Sequence, residues 1–149
     1  MFLITSGAYI SQEFASELGC LPPSFLPLGN RCLYEYQIAL AEPLSDDIYL
    51  SIPESFELSD YEQAFIAEHS VKLITVPEGL SLGESVLYCL NMAQCGNSQL
   101  QILHGDTLFQ NLPKGNDLVS ISPNSGYYRR ALSQQHSAQL LDEQLAVGC

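Results

Sequence analysis

Short apolar segments alternate along the chain with segments of helical periodicity, and this alternation limits the possible folds more than any other feature. The connections between successive apolar segments are too long for hairpins, so neighbouring strands are expected to run parallel. Parallel strands joined through helices form a sheet that is covered on both faces. The sequence therefore predicts an α/β fold with a Rossmann-like, mostly parallel sheet and helices on both faces. Strands are predicted at 2–5, 47–53, 71–76, 100–104 and 117–122, with one or two more in 137–149, and helices at 11–18, 31–44, 59–70 and 81–95.

Local signals set the predicted ends of the helices. Ser59 and Glu62 have the spacing of a capping box, which favours a helix start at that point. Pro43 is expected to end the second helix, because proline cannot donate the next backbone hydrogen bond. Gly96 is expected to end the fourth helix. The segment 21–30 contains three prolines and predicts an ordered loop.

The length, apolar content and net charge of the chain limit its domain count and its possible partners. A chain of 149 residues with 46% apolar residues can build one domain, which we predict to span 1–149. Its 17 acidic residues against 5 lysines and arginines give a net charge of −12, which repels nucleic acid and anionic membranes. No nucleic-acid or membrane partner is therefore expected. A phosphate ligand would need a cation to offset this charge.

The cysteines and the N-terminus point to a compartment. The chain has five cysteines, an odd number, and no Cys-x-x-Cys pair. The N-terminal segment lacks the basic and long apolar regions of a signal peptide. We therefore expect reduced thiols in a cytoplasmic protein.

Three polar segments follow predicted strands, at 5–9, 77–85 and 104–106. Ligands of open parallel sheets bind at the carboxyl ends of the strands, so these segments are the candidate site. The glycines in them permit close approach of backbone to a ligand, and they are Gly7, Gly79, Gly83 and Gly105. Asp106 supplies a hard oxygen ligand of the kind that suits Mg²⁺ bound to a polyphosphate.

Each of these features also has a simpler interpretation. Glycine and aspartate after a strand form a turn more often than a metal site. His104 is expected to be a packed or hydrogen-bonded strand residue rather than a base. The cluster at 127–130 could bind a sugar or a phosphate, or could cover an edge of the sheet, and the acidic stretch at 142–144 is expected to be solvated.

Several segments, in this order, resemble the N-terminal half of the sugar-phosphate nucleotidyltransferases, the pyrophosphorylases that make nucleotide sugars. The similar segments are FLPLGNRCLYEYQIALA (25–41), EGLSLGESVLYCLN (78–91), LQILHGDTLF (100–109), YYRRAL (127–132) and LAVGC (145–149). The resemblance implies a nucleotide-diphospho-sugar transferase type of fold. It also implies transfer of a nucleotidyl group from an NTP to a sugar-1-phosphate with release of pyrophosphate, for instance for a cell-surface polysaccharide precursor.

The resemblance also implies roles for particular residues. Asp106 would be the catalytic residue and hold Mg²⁺, the expected cofactor. The other implied contacts are backbone groups of Ser6, Gly7 and Ala8 to the nucleotide, Gly105 beside the aspartate, and Gly83 and Glu84 near the base.

The first loop departs from the family pattern. The family carries an arginine and a Pro-Lys pair there, whereas this chain has no lysine or arginine before Arg31 and has Pro22-Pro23 instead. Glu13 and Glu17 add negative charge. Each lost contact to phosphate is a charge-assisted hydrogen bond worth about 1.5–3 kcal/mol. The family's second metal-binding aspartate and sugar pocket would lie beyond Cys149, so the 149 residues are expected to be a truncated copy or a detached domain.

Three hypotheses follow. The first is a nucleotidyltransferase-like domain. The second is a non-catalytic degenerate member that binds a sugar nucleotide or a partner protein. The third is an unrelated α/β interaction domain in which 105–106 is only a turn. Self-association or a C-terminal partner domain is expected, because a truncated sheet would expose an apolar edge.

Overall fold

The computed structural model describes residues 1–96, 99–112, 120–123 and 144–147. The chain divides into two compact units, 1–111 and 112–149. In the first unit the elements are β1 (Phe2–Thr5), α1 (Gln12–Leu18), a 3₁₀ turn (Pro23–Phe25), β2 (Pro27–Leu28), β3 (Arg31–Cys32), α2 (Leu33–Ala41), β4 (Ile48–Pro53), α3 (Asp60–Glu68), β5 (Lys72–Val76), α4 (Leu82–Met92) and β6 (Gln101–His104). In the second unit, β7 (Ser120–Pro123) and β8 (Gln144–Val147) pair antiparallel.

Four strands of the first unit form a parallel sheet in the order β5-β4-β1-β6. The chain steps outward from β1 to β4 and β5, and then crosses back to place β6 on the other side of β1. Right-handed crossovers in this order put α2 and α3 on one face of the sheet and α4 on the other. The predicted α/β fold with a parallel sheet flanked by helices is therefore confirmed.

The face covered by α4 has a compact apolar core. One cluster contains Leu3 of β1, Tyr49 of β4, Ile74 and Val76 of β5 and Cys89 of α4, and Ile74 and Val76 are alternate residues of their strand. Alternation is expected because successive side chains of a strand point to opposite faces.

The opposite face is equally apolar. Phe2 and Ile4 of β1 are almost fully buried, as is Leu50 of β4. Aromatic contacts join the helices on this side, since the Tyr34 ring of α2 lies 5.5 Å from the Phe65 ring of α3. Burial on both faces explains why the central strands β1 and β4 are almost continuously apolar, whereas the edge strand β5 alternates between buried and exposed residues.

The start of the second helix differs from the prediction. Residues 31–32 form β3, which pairs with β2 in a short hairpin, and the helix begins only at Leu33. Cys32 has an extended backbone and its N–H donates to the Glu35 carboxylate at 3.1 Å, so Cys32 caps the helix instead of starting it. The hairpin turns at Gly29, whose φ of 66° favours glycine. The sequence signal for this hairpin is Gly29-Asn30 between two strands of two residues each. The signal lies in the segment 21–30, which was predicted to be a loop.

The observed ends of the helices can be compared with the capping and stop signals predicted from the sequence. The second helix stops at Ala41, two residues before Pro43, as the proline predicts. The fourth stops at Met92 rather than at Gly96, because Gln94 takes the left-handed conformation expected of the glycine, with φ of 51°. The capping box of Ser59 and Glu62 is present as predicted.

The remaining strand predictions fall partly outside the described residues. β7 overlaps the end of the strand predicted at 117–122. Three predicted segments lie outside the described part of the chain: 117–119, 127–132 and 137–143. Within the described ranges, no helix is both long enough and apolar enough to cross a membrane.

Candidate functional site

The candidate site lies where the strand order reverses, between β1 and β6. Thr5 pairs with His104 at the carboxyl ends of these neighbouring strands, so the segments that follow them start side by side. This is the switch point at which open α/β sheets bind ligands. The structure therefore brings Ser6 and Gly7 to the same edge as Gly105 and Asp106, as the sequence predicts.

Gly105 is packed against the end of β1. Its N–H donates to the Thr5 carbonyl at 2.9 Å. A Cβ atom at this position would lie 2.7 Å from that carbonyl oxygen and 2.8 Å from the Ser24 hydroxyl. Gly105 is thus required for close packing against the chain's own atoms, and its predicted close approach to a ligand stays a prediction.

A chain of buried serines crosses the switch point. The Ser6 N–H donates to the Ser51 hydroxyl at 2.9 Å, and the Ser6 hydroxyl accepts from the Ser24 N–H at 3.0 Å. The Ser24 hydroxyl in turn donates to the Gly105 carbonyl at 3.4 Å. All three serines are at most 1% exposed. These bonds tie β4, β1, the 3₁₀ turn and the segment after β6 into one rigid unit.

Gln37 of α2 supports the same segment from the helix side. Its side chain is fully buried, and its Nε2 donates to the carbonyls of His104, Gly105 and Thr107. The turn is also closed by its own backbone, because the Thr107 N–H donates to the His104 carbonyl at 3.0 Å. Gly105 and Asp106 therefore do form a turn, and that turn is held by residues far away in the sequence.

Asp106 projects from this turn and is exposed. One oxygen of its carboxylate accepts a hydrogen bond from the Thr107 hydroxyl at 3.0 Å. His104, at the end of β6, shares a hydrogen bond of 3.2 Å with the Thr5 hydroxyl, which agrees with its expected role as a bonded strand residue.

The side chains near Asp106 that could ligate a metal determine how Mg²⁺ could bind there. Within the described residues, no group of three or more His, Cys, Asp or Glu side chains could hold a metal ion. Mg²⁺ is commonly bound through one or two carboxylates together with substrate phosphates and water. A single exposed carboxylate at Asp106 fits Mg²⁺ that arrives with a phosphate ligand, and does not fit a cage made of protein atoms alone.

The segment after β1 runs across the sheet edge toward β5. A Cβ atom at Gly7 would lie 3.0 Å from the Val76 side chain at the end of β5. Two residues further on, the Tyr9 hydroxyl is 2.8 Å from the Ser55 hydroxyl, which also donates to the Glu78 carboxylate. The segments after β1, β4 and β5 are thus linked along one edge.

Gly83 and Glu84 follow the carboxyl end of β5, at the same edge of the sheet as the switch point but farther along it, and their position near a nucleotide base stays a prediction. They lie in the first turn of α4, which follows β5, and β5 is three strands away from β6, about 14 Å at the usual strand spacing. The Glu84 carboxylate accepts from the Ser81 N–H at 2.8 Å and from the Ser81 hydroxyl at 2.6 Å. These bonds hold the pKa of Glu84 below its usual range. Helix capping thus explains Glu84 without a ligand, and Gly83 has nothing within 4 Å of an added Cβ.

The charge of the site edge is negative among the described residues. Glu54, Glu78 and Asp106 are exposed just after the carboxyl ends of β4, β5 and β6. The described residues include one lysine and one arginine, and neither lies at this edge. Lys72 begins β5 and donates to Asp47, and Arg31 of the hairpin lies 5.9 Å from the centre of the Tyr36 ring. Lys114, Arg129 and Arg130 lie outside the described residues.

Burial raises the pKa of three groups of the first unit. Burial raises the pKa of the Cys89 thiol, and a hydrogen bond with Ser51 offsets part of that rise. Burial, reinforced by the Glu35 carboxylate, also raises the pKa of Tyr34 and of Cys32. These groups are therefore held in their protonated forms.

Three buried residues of the site were not predicted from the sequence: Ser24, Gln37 and Ser51. Serine and glutamine occur in many contexts, so residue type gave no signal. A polar residue at a helical position that should face the core, as at Gln37, is the one pattern that could have indicated a buried polar contact.

Comparison with known proteins adds no relative. No protein-family model, no curated protein and no solved structure matches the chain. The fold and the geometry of the switch point are therefore the basis for any functional conclusion.

Proposed function

We propose that the chain is a nucleotidyltransferase-like domain that transfers a nucleotidyl group from an NTP to a sugar-1-phosphate and releases pyrophosphate. The observation that carries this proposal is the rigid juxtaposition of the Ser6–Ala8 and Gly105–Asp106 segments at the strand-order reversal of a parallel sheet. Such a site suits a nucleotide because backbone groups there can approach phosphates closely.

In this proposal each residue has a defined role. The backbone N–H groups of Gly7 and Ala8 would bind the nucleotide. The Asp106 carboxylate would hold Mg²⁺, which supplies the positive charge that stabilises a phosphate undergoing substitution. The buried serines and Gln37 keep these groups in place, so that little reorganisation is needed when the substrate binds.

The negative edge favours a second candidate. A site with Glu54, Glu78 and Asp106 and without a described lysine or arginine is poorly suited to stabilise the charge of an NTP undergoing attack. The second candidate is a non-catalytic domain that binds a sugar nucleotide, which carries less charge than an NTP. A protein-interaction domain remains the third.

Thermal unfolding with Mg²⁺ and each of the common NTPs and nucleoside-diphosphate sugars tests the proposal. A ligand at 100 times its dissociation constant stabilises the folded state by about 2.7 kcal/mol. For a chain of this size the midpoint should rise by about 5–11 °C. Pyrophosphate release with sugar-1-phosphates is then measured for the nucleotide that binds.

Two matched variants identify the site. Asp106→Asn should abolish the Mg²⁺-dependent shift, whereas Asp46→Asn, an exposed acid that precedes β4 at the opposite end of the strands, should retain it. A shift with pyrophosphate release supports the transferase, and a shift without release supports the non-catalytic binder. Equal shifts in both variants, or none in the wild-type protein, would refute a nucleotide site at Asp106.

A further inference from the structure

The side chain of Gln37 contacts the backbone on both sides of Asp106. Its Nε2 lies 3.1 Å from the His104 carbonyl oxygen, 3.1 Å from that of Gly105 and 2.9 Å from that of Thr107. These contacts join α2 to residues 67 to 70 positions further along the chain. One side-chain nitrogen therefore connects three of the four residues of the turn.

The orientation of this amide follows from its surroundings. Three carbonyl oxygens converge on it, and carbonyls only accept, so the donor end of the amide must face them. The Gln37 Oε1 is left buried without a hydrogen-bond partner. A buried unpaired acceptor is costly, so an apolar side chain of equal size would suit this position better if packing were its only role.

We infer that Gln37 is a positioning residue, which fixes the backbone of the turn and thereby the direction of the Asp106 carboxylate. The Asp106 side chain is exposed, and the turn that carries it is bonded to a fully buried group on a helix. A fixed direction matters for ligand binding because it removes ordering cost at the moment of binding. The effect on ligand binding rests on the proposed function, whereas the inference that Gln37 fixes the turn does not depend on it.

The first experiment uses the protein without ligand. Gln37→Met keeps the length of the side chain and removes the donor. Gln37→Glu keeps its shape, but because burial and the facing carbonyls favour the protonated acid, it offers one donor hydrogen in place of two. We expect both variants to keep the wild-type circular dichroism spectrum. Amide hydrogen exchange at Gly105 and Thr107 should become at least tenfold faster, and the α–β proton couplings of Asp106 should change from one rotamer to an average.

Two controls separate positioning from a general loss of stability. Ile66→Val shortens a buried side chain of α3 and lowers global stability without touching the turn. Gln63→Met removes another glutamine that donates to a backbone carbonyl, that of Leu58 at 2.9 Å. Neither control should alter the couplings of Asp106. Unchanged exchange and couplings in folded Gln37→Met, or an equal change in Ile66→Val, would overturn the inference.

The second experiment adds Mg²⁺ alone and follows the Asp106 carboxyl resonance. If the wild-type protein binds Mg²⁺ at Asp106, Gln37→Met should weaken binding about tenfold, and unchanged binding would overturn the inference while leaving the proposed function intact. If the wild-type protein binds no Mg²⁺ on its own but Gln37→Met loosens the turn, the positioning inference stands. The metal role of Asp106 is then decided by the thermal-unfolding experiment with Mg²⁺ and a nucleotide, because a single carboxylate is expected to bind Mg²⁺ together with a phosphate.

Discussion

The sharpest prediction concerns Gly105, which the structure requires for space rather than for backbone conformation. In Gly105→Ala the new methyl group would lie 2.7 Å from the Thr5 carbonyl oxygen, 2.8 Å from the Ser24 hydroxyl and 3.0 Å from the Ser6 Cβ. Ordinary van der Waals contact begins at 3.4 Å. The clash is therefore with a strand backbone and two buried side chains, all of which have little freedom to move.

The expected cost follows from what must shift. Relief of the contact with Thr5 lengthens the hydrogen bond from the Gly105 N–H, which is 2.9 Å in the wild-type protein. Overpacking of this kind, with a weakened buried hydrogen bond, should lower the free energy of unfolding by about 2–3 kcal/mol. For a chain of this size the midpoint of thermal unfolding should fall by about 4–12 °C.

Gly83→Ala is the matched control for this measurement. Gly83 lies in the first turn of α4, is exposed, and has nothing within 4 Å of an added Cβ. Alanine in a helix is favoured over glycine by up to about 1 kcal/mol, so the midpoint should stay or rise slightly. A Gly105→Ala protein with the midpoint of the wild type, measured by differential scanning fluorimetry or urea unfolding beside this control, would refute the crowding at the switch point.

Two further predictions test local features of the structure. Hydrogen bonds from the Ser81 hydroxyl and N–H lower the pKa of Glu84 in the folded protein. The ionised Glu84 side chain therefore stabilises the fold fully above the ordinary glutamate pKa, and this stabilisation is lost as the pH falls through the lowered pKa. Glu84→Gln should therefore lose less stability than wild type in urea unfolding between pH 7 and pH 3, and equal losses would contradict this. The exposed Cys20 should react with a thiol reagent in the native protein, whereas Cys89, buried and with a raised pKa, should react only on unfolding, as mass spectrometry of the labelled peptides would show.

Much of the local structure could be predicted because its causes lie within a few residues. The capping box at Ser59 needs only Glu62, three positions away, and the stop before Pro43 needs only the proline ring. The hairpin at Gly29 was missed although its signal is equally local, because each of its strands is only two residues long. Periodicity cannot be recognised in so few residues.

The candidate site was predicted only in part. The sequence indicated that Gly7, Gly105 and Asp106 follow strands, and parallel pairing then brought two of these segments together. It also placed Gly83 and Glu84 at the same edge, where they follow β5, but sequence alone did not show that β5 lies three strands from β6. The order of strands depends on the direction of each crossover, which no local pattern encodes.

The sequence by itself determined the alternation of strands and helices, the parallel sheet and the positions of the polar segments after the strands. Only the tertiary structure decided that Ser24 and Gln37 would meet the turn that carries Asp106. These contacts join residues 81 and 68 positions apart, at the Gly105 carbonyl. A buried donor finds its acceptor only after the sheet has formed, because the hydrogen bond depends on atoms that the crossovers bring together and not on the residues beside it in the chain.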